Sequence, residues 1–181
     1  ALYGIMQGDS LTKKTMGEVI ISVNKWEQKL NEVPNKIVKT NKLDILRNNP
    51  QTSADLLGQT GAVFIQKSQL GGGSPMIRGF ATNRVLLVVD GVRMNNAIYR
   101  SGNLQNVISI DALSTETAEV IFGPGSLIYG SDAIGGVMDF HTLNARFATE
   151  KKMLISGSAL ARYSTANKEN TFHADINLGL K

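Results

Sequence analysis

The sequence predicts an α+β domain, a small mixed sheet with short helices, followed by two longer strands built on a different pattern. Arg84 to Val89 (RVLLVV) is an apolar run rich in β-formers, long enough for a strand covered on both faces. Lys42 to Arg47 and Ser53 to Gly58 read as two short helices separated by Asn48-Asn49-Pro50. Near the end, Phe172, Ala174, Ile176, Leu178 and Leu180 alternate with His173, Asp175, Asn177, Gly179 and Lys181. Apolar out and polar in is the pattern of a barrel strand in lipid, and an ordinary hairpin with one wet face gives the same period.

The bulk properties set bounds. The chain has 181 residues, enough for one ordinary domain and part of a second. Its 42% hydrophobic content permits a packed core, and 18 glycines against 4 prolines point to many tight turns. The net charge of +4 is mild and no Lys/Arg run exceeds a pair, which argues against nucleic acid as a partner. Zero cysteines exclude disulfides and thiolate metal sites. No window of about 18 apolar residues occurs, which rules out a transmembrane helix. Ala1 to Ser10 lacks a basic region followed by an apolar core, so the sequence is expected to start after processing or within a longer chain.

In order, residues 1–17 are polar without a clear period and read as a tail. Glu18-Val19-Ile20-Ile21-Ser22-Val23 is a β-branched run bounded by Gly17 and Asn24, and its plain reading is an edge strand. Lys25 to Lys36 is charged and holds the only tryptophan, Trp26, an anchor for the segment. Ile37-Val38 is a short strand. Thr52 or Ser53 caps the second helix, whose buried side is Leu56-Leu57. Gly61 turns the chain into a strand, Val63 to Ser68.

Gly71-Gly72-Gly73-Ser74 lacks the Gly-Lys-Ser/Thr ending of a phosphate-binding loop and reads as a flexible loop. It leads into Pro75-Met76-Ile77-Arg78-Gly79-Phe80. Asp90-Gly91 ends the apolar strand with a turn, and Val92-Arg93 follows. Met94 to Asn106 is the long polar loop, with Tyr99 and Arg100 offering a stacking face and a cation, and Asn95 and Asn96 adaptable hydrogen-bonding groups. Val107 to Ile110 and a helix start at Ser114-Thr115-Glu116 come next, then a strand through Ala118-Glu119-Val120-Ile121.

The most informative stretch is Gly123 to Thr142, GPGSLIYGSDAIGGVMDFHT. Gly123-Pro124-Gly125 forces a sharp turn after Phe122. Ser126 can cap one short turn to Tyr129, which Gly130 ends. Ser131-Asp132 starts another that Gly135-Gly136 closes, and Val137 to Phe140 reads as strand. The unit is compact, with little spare length.

This stretch resembles the closing motif of the plug domain of TonB-dependent outer-membrane receptors, a Gly-Pro-x-Ser-x-x-Tyr-Gly-x-x-Ala-x-Gly-Gly-Val pattern. It stands here as Gly123, Pro124, Ser126, Tyr129, Gly130, Ala133, Gly135, Gly136 and Val137. The Glu119-Val120 pair, Ile77-Arg78-Gly79, the strand before Asp90-Gly91-Val92-Arg93, and Asp55, Leu56, Leu57, Gly61 and Val63 extend the resemblance. Phe122 stands where the family usually has Arg, and Asp139-Phe140-His141 departs from its Asn-Ile-x tail.

The resemblance implies a plug over 18–145 followed by the first two strands of an outer-membrane barrel over 150–181. It implies no enzyme activity. Its function is expected to be gated, energised uptake of a scarce solute such as a siderophore, haem or cobalamin. The implied partners are a periplasmic TonB-type energising protein, outer-membrane lipid, a small extracellular ligand and other outer-membrane subunits. The implied location is the outer membrane of a Gram-negative bacterium, with the plug facing the periplasm within the barrel. Glu18 to Val23 then resembles the TonB box, which the energising protein captures by strand addition. Arg78 and Arg93 are either structural ion-pair partners of acidic residues on the barrel wall or simply solvated. The loop 94–106, with 69–76, either forms the apex that meets the ligand or packs on the barrel wall. The alternative function is a non-transporting plug-like subunit of an outer-membrane complex.

The sequence shows no metal-spaced His/Cys/Asp/Glu cluster, no dinucleotide fingerprint and no nucleophile elbow around Ser126, so no cofactor and no metal are expected. His141, a lone histidine at a strand end, reads as structural.

Overall fold

A computed structural model describes residues 19–20, 28–29, 33–67, 73–81, 84–94, 106–149, 152–166 and 168–180. The chain runs β1 (Val19–Ile20), β2 (Gln28–Lys29), β3 (Ile37–Asn41), α1 (Lys42–Asn48), α2 (Ser53–Gln59), β4 (Phe64–Gln66), β5 (Ser74–Met76), β6 (Val85–Val89) and β7 (Val92–Arg93). It continues through β8 (Thr115–Phe122), α3 (Ser126–Tyr129), β9 (Gly136–Thr142), β10 (Met153–Ser164) and β11 (Glu169–Leu180).

Five strands form the central sheet, in the order β3-β8-β9-β6-β7. All pairings are antiparallel except β6 with β9, so the sheet is mixed, as the sequence predicts. The β6–β7 hairpin closes on Asp90 (φ 47°) and Gly91 (φ 81°), left-handed conformations that match strand twist in a two-residue turn. The Asp90 carboxylate holds the turn to the end of β9, accepting from Thr142 N at 2.9 Å and Thr142 Oγ1 at 2.6 Å.

Both faces of this sheet are covered, which is why β6 is apolar without alternation. On one face Val85, Leu87, Ala118, Val120, Phe122, Met138 and Phe140 pack under α1 and α2 through Ile45, Ala54, Leu56 and Leu57. On the other, Leu86, Val88, Ile121 and Val137 pack under Tyr129 and Ala133 of the Gly-rich turns. Burying a side chain such as Leu56 or Leu57 stabilises by roughly 1.5–3 kcal/mol.

Local chemistry sets the helix ends. The Thr52 side chain accepts from Asp55 N at 3.2 Å and caps α2. Asn49 in the left-handed region (φ 47°) stops α1, returning its N–H to Ile45 O at 2.9 Å.

Several expectations are corrected. The helix start at Ser114-Thr115-Glu116 is instead the first part of β8. A 3₁₀ turn, Ala112–Ser114, precedes it because Asp111 accepts from Leu113 N, leaving β-branched Thr115 and Thr117 to the strand. Residues 106–109 form a second 3₁₀ turn. Ser126 is the first helical residue of α3, and the cap position falls on Gly125, whose carbonyl takes Ile128 N and Tyr129 N. Gly73 is buried with Ile65 and Ala54 against its Cα, and Ser74 is already strand, so neither belongs to a flexible loop. The strand expected over Val63–Ser68 shortens to Phe64–Gln66, while that of Ile37-Val38 extends to Asn41.

The hairpin β10–β11 is longer, with 12 residues in each strand and full register from Met153↔Leu180 to Ser164↔Glu169. Its outer face pairs Ile155 with Leu178, Gly157 with Ile176 and Ala161 with Phe172, and Ile155, Phe172, Ile176 and Leu178 are exposed. Its inner face pairs Ser156 with Asn177, Ser158 with Asp175, Leu160 with His173 and Arg162 with Thr171.

Candidate functional site

The Gly-rich turns owe their shape to glycine at places where a side chain is excluded. A Cβ on Gly135 would lie 2.3 Å from Phe80 Cβ and 3.0 Å from the Arg84 carbonyl, which Gly135 N itself bonds at 2.7 Å. Gly123 (φ 93°) and Gly130 (φ 95°) sit in the left-handed region. With Pro124 between Gly123 and Gly125, the unit lies tight against β8, β9 and the base of β6.

Beneath these turns a polar row crosses the whole sheet. The registers Lys39↔Glu119, Glu119↔Asp139, Asp139↔Val88 and Val88↔Arg93 place Lys39, Glu119, Asp139 and Arg93 on one line and one face. Glu119 is 1% and Asp139 3% exposed. Lys39 Nζ lies 3.7 Å from Glu119. Tyr129 donates its hydroxyl to Asp139 Oδ2 at 3.4 Å, and His141 Nε2 is 3.9 Å from the same oxygen. Among the described residues Asp139 Oδ1 meets no hydrogen-bond partner. Burial pushes the Asp139 carboxyl up to about 6, with Glu119 and Asp90 adding to the rise and His141 and Tyr129 opposing it. Burial, then the nearby Asp139 charge, holds the Tyr129 phenol well above its usual range.

The two candidate arginines part company. Arg93 pairs with Asp132 at 2.8 Å, half-exposed, and its guanidinium packs against Gly130. It thus ties the end of β7 to the Gly-rich turns. Arg78 sits in the left-handed region (φ 49°) and with Gly79 makes the tight turn between Ile77 and Phe80. Among the described residues its charged group meets no carboxylate; it lies 5.2 Å from the ring centroid of Phe122, with Lys36 Nζ at 5.6 Å from the same ring. Phe122, the departure from the family motif, is therefore a platform for two cations.

The inner face of β10–β11 supplies contacts that residue-by-residue reading missed. Arg162 Nη1 donates to Asn49 Oδ1 (2.8 Å), Asn49 O (3.3 Å) and Pro50 O (3.1 Å), capping α1 from across the interface. Its Nη2 bonds Glu169 (3.0 Å) and Thr171 (3.1 Å), and Gln51 donates to Glu169 in turn. His173 Nδ1 lies 3.3 Å from Asp111, and Asn177 brackets the backbone of Arg146 with two bonds of 2.9 Å. A polar cavity of about 370 Å³ remains between the two parts, with Lys42, Glu116, Arg146, Ser158 and Asp175 among its walls. The signal for His173 and Asn177 was the alternation of 171–181, which marks them as inward.

Val19–Ile20 of the box candidate pairs antiparallel with Gln28–Lys29. Glu18, Ile21, Ser22 and Val23 lie outside the described residues, as do Asn95, Asn96, Tyr99, Arg100, Trp26 and residues 1–17. Among the described residues no group of three or more His, Cys, Asp or Glu could hold a metal ion. No helix in them is long and apolar enough to cross a membrane, which does not bear on strands.

Residues 29–137, which hold α1, α2, α3 and the sheet as far as the start of β9, match the family described as TonB-dependent Receptor Plug Domain. The chain belongs to this family. A vitamin B12 transporter, BtuB, of Vibrio vulnificus strain CMCP6 is 36% identical over 163 residues, 88% of this chain and 25% of that protein. The chain thus spans about a quarter of the length of the curated relatives it matches. Among solved structures, the copper transporter OprC superposes with a TM-score of 0.67 at 19% identity, over 80% of this chain and 21% of its own. The alcaligin receptor FauA of Bordetella pertussis superposes with a TM-score of 0.65 at 16% identity, over 88% and 26%. These two show the fold. The plug assignment accounts for the mixed sheet and the Gly-rich closing turns together.

Proposed function

We propose that this chain is the gate, with the first barrel strands, of a TonB-dependent outer-membrane transporter. The observation that carries the reading is the continuity of a plug domain into a hairpin bonded to it by polar side chains on one face and exposing an apolar face on the other. Twelve residues per strand exceed the roughly 9–11 that a tilted strand needs to cross a bilayer. In this reading β10–β11 belong to a barrel wall in the outer membrane, and lipid covers Phe172, Ile176 and Leu178. The plug occludes the lumen, and a periplasmic TonB-type protein captures 18–23 by strand addition and pulls. Opening that starts with part of the plug needs less force than global unfolding. Domain limits of 18–145 and 150–181 follow from this reading.

The BtuB relatives make a corrinoid the first solute to test, with ferric siderophores next. The test is uptake of radiolabelled cyanocobalamin and of labelled ferric siderophores by cells of the source bacterium carrying the full-length protein. Uptake that a protonophore abolishes, and that deletion of 18–23 abolishes without lowering outer-membrane abundance, supports the reading. Uptake that survives the deletion removes the box assignment. Binding without any energised uptake leaves a non-transporting subunit.

A further inference from the structure

We propose that Glu119 and Asp139 form a proton-set seam between β8 and β9: a single proton on Asp139 lets two buried carboxylates lie directly opposite each other, and its loss loosens the sheet beneath the Gly-rich turns. Like charges facing across adjacent strands destabilise a sheet, and burial strengthens their repulsion. The two residues occupy partner positions in the β8–β9 ladder and are almost without solvent. Lys39, on β3, lies beside Glu119, across β8 from Asp139.

The groups facing Asp139 come from every neighbouring element. β8 presents Glu119, and β9 itself His141 at 3.9 Å. Tyr129 of α3 donates its hydroxyl at 3.4 Å, and Asp90 in the β6–β7 turn adds a further negative charge. Arg93, the cation on the same line of the sheet, is engaged by Asp132. A carboxylate oxygen left buried without a donor is costly, whereas a protonated acid carries its own. Asp139 also stands where the family motif has Asn, a neutral side chain of the same shape. The raised carboxyl range of Asp139 agrees in direction.

Because the closed sheet binds the proton more tightly than the open one, acid favours closure. The test is hydrogen exchange, read by mass spectrometry, on the full-length protein in detergent. It follows peptides over 115–122 and 136–142 from pH 7.5 to 4.0, corrected for the intrinsic exchange rate. Protection of these strands is expected to be level at neutral pH and to rise as pH falls through about 6, by up to about tenfold per pH unit. Asp139→Asn is expected to hold the acid-level protection at every pH, and Glu119→Gln to move the rise to lower pH. A wild-type profile that is flat or falls toward acid overturns the proposal, as does an Asp139→Asn profile with the wild-type slope. A midpoint unmoved by Glu119→Gln overturns the pairing. Should Asp139→Asn fail to assemble, the wild-type and Glu119→Gln profiles still decide.

Discussion

At the scale of single residues, the motif glycines divide by what excludes a side chain. Gly135 is excluded by neighbours: Gly135→Ala puts a methyl against Phe80 and the Arg84 backbone, and is expected to destabilise the plug by about 1–3 kcal/mol. Gly61 (φ 67°) has open space around its Cα, so Gly61→Ala meets only backbone strain, on the order of 1 kcal/mol. Urea unfolding of the plug, followed by proteolysis, ranks the two. Asp139 has the opposite character. Its folded-state carboxyl titrates at about 6, above the ordinary 3.8, so its ionisation weakens the fold at neutral pH. That penalty fades as pH falls through 6 and is gone below the ordinary value. Asp139→Asn is expected to stabilise the plug at pH 7 by on the order of 3 kcal/mol and not at pH 3.5, as denaturation at the two pH values will show. The glycines were legible because tight turns demand them. The Asp139 environment was not, because strand register, invisible in one sequence, sets Glu119 opposite it.

At the scale of elements, both helices, the apolar strand and the two long strands were legible from period and caps, since Thr52, Asn49-Pro50 and the β6 run act locally. The start of β8 was misread because two cap-like residues compete nearby, and Asp111 rather than Ser114 takes the free N–H. The contact between hairpin and plug was half legible: alternation says which side chains of β11 point inward, but not what they meet. Arg162 meets the end of α1 and, with Glu169, the segment before α2. Arg162→Met keeps the stem and removes those bonds, leaving the Asn49 and Pro50 carbonyls and Glu169 without it. The expected loss is about 1–3 kcal/mol, seen as faster hydrogen exchange in 42–59 with the central sheet unchanged. Unchanged exchange in those helices would show that the contact does not hold them.

At the scale of the molecule, the plug is gripped at separated points by one face of a hairpin whose other face is bare and apolar. Arg162, His173 and Asn177 lie along that inner face, touching α1, Asp111 and the connection at Arg146. Gly179 is small for the same reason, since a Cβ there would lie 2.1 Å from the Arg146 carbonyl. Gly179→Val is therefore expected to displace the connection and lower the amount of assembled protein in the outer membrane, measured by heat-modifiable gel mobility.

Whether the plug continues directly into lipid-facing strands is read by single cysteines at 172–178, spin-labelled in the full-length protein in bilayers. Power saturation with oxygen and with a water-soluble nickel chelate reports the surroundings of each label. Positions 172, 174, 176 and 178 are predicted to favour oxygen, as lipid-exposed sites do, and 173, 175 and 177 to be shielded from it. Equal access of the nickel reagent to both sets would instead make β10–β11 a hairpin with water on its outer face.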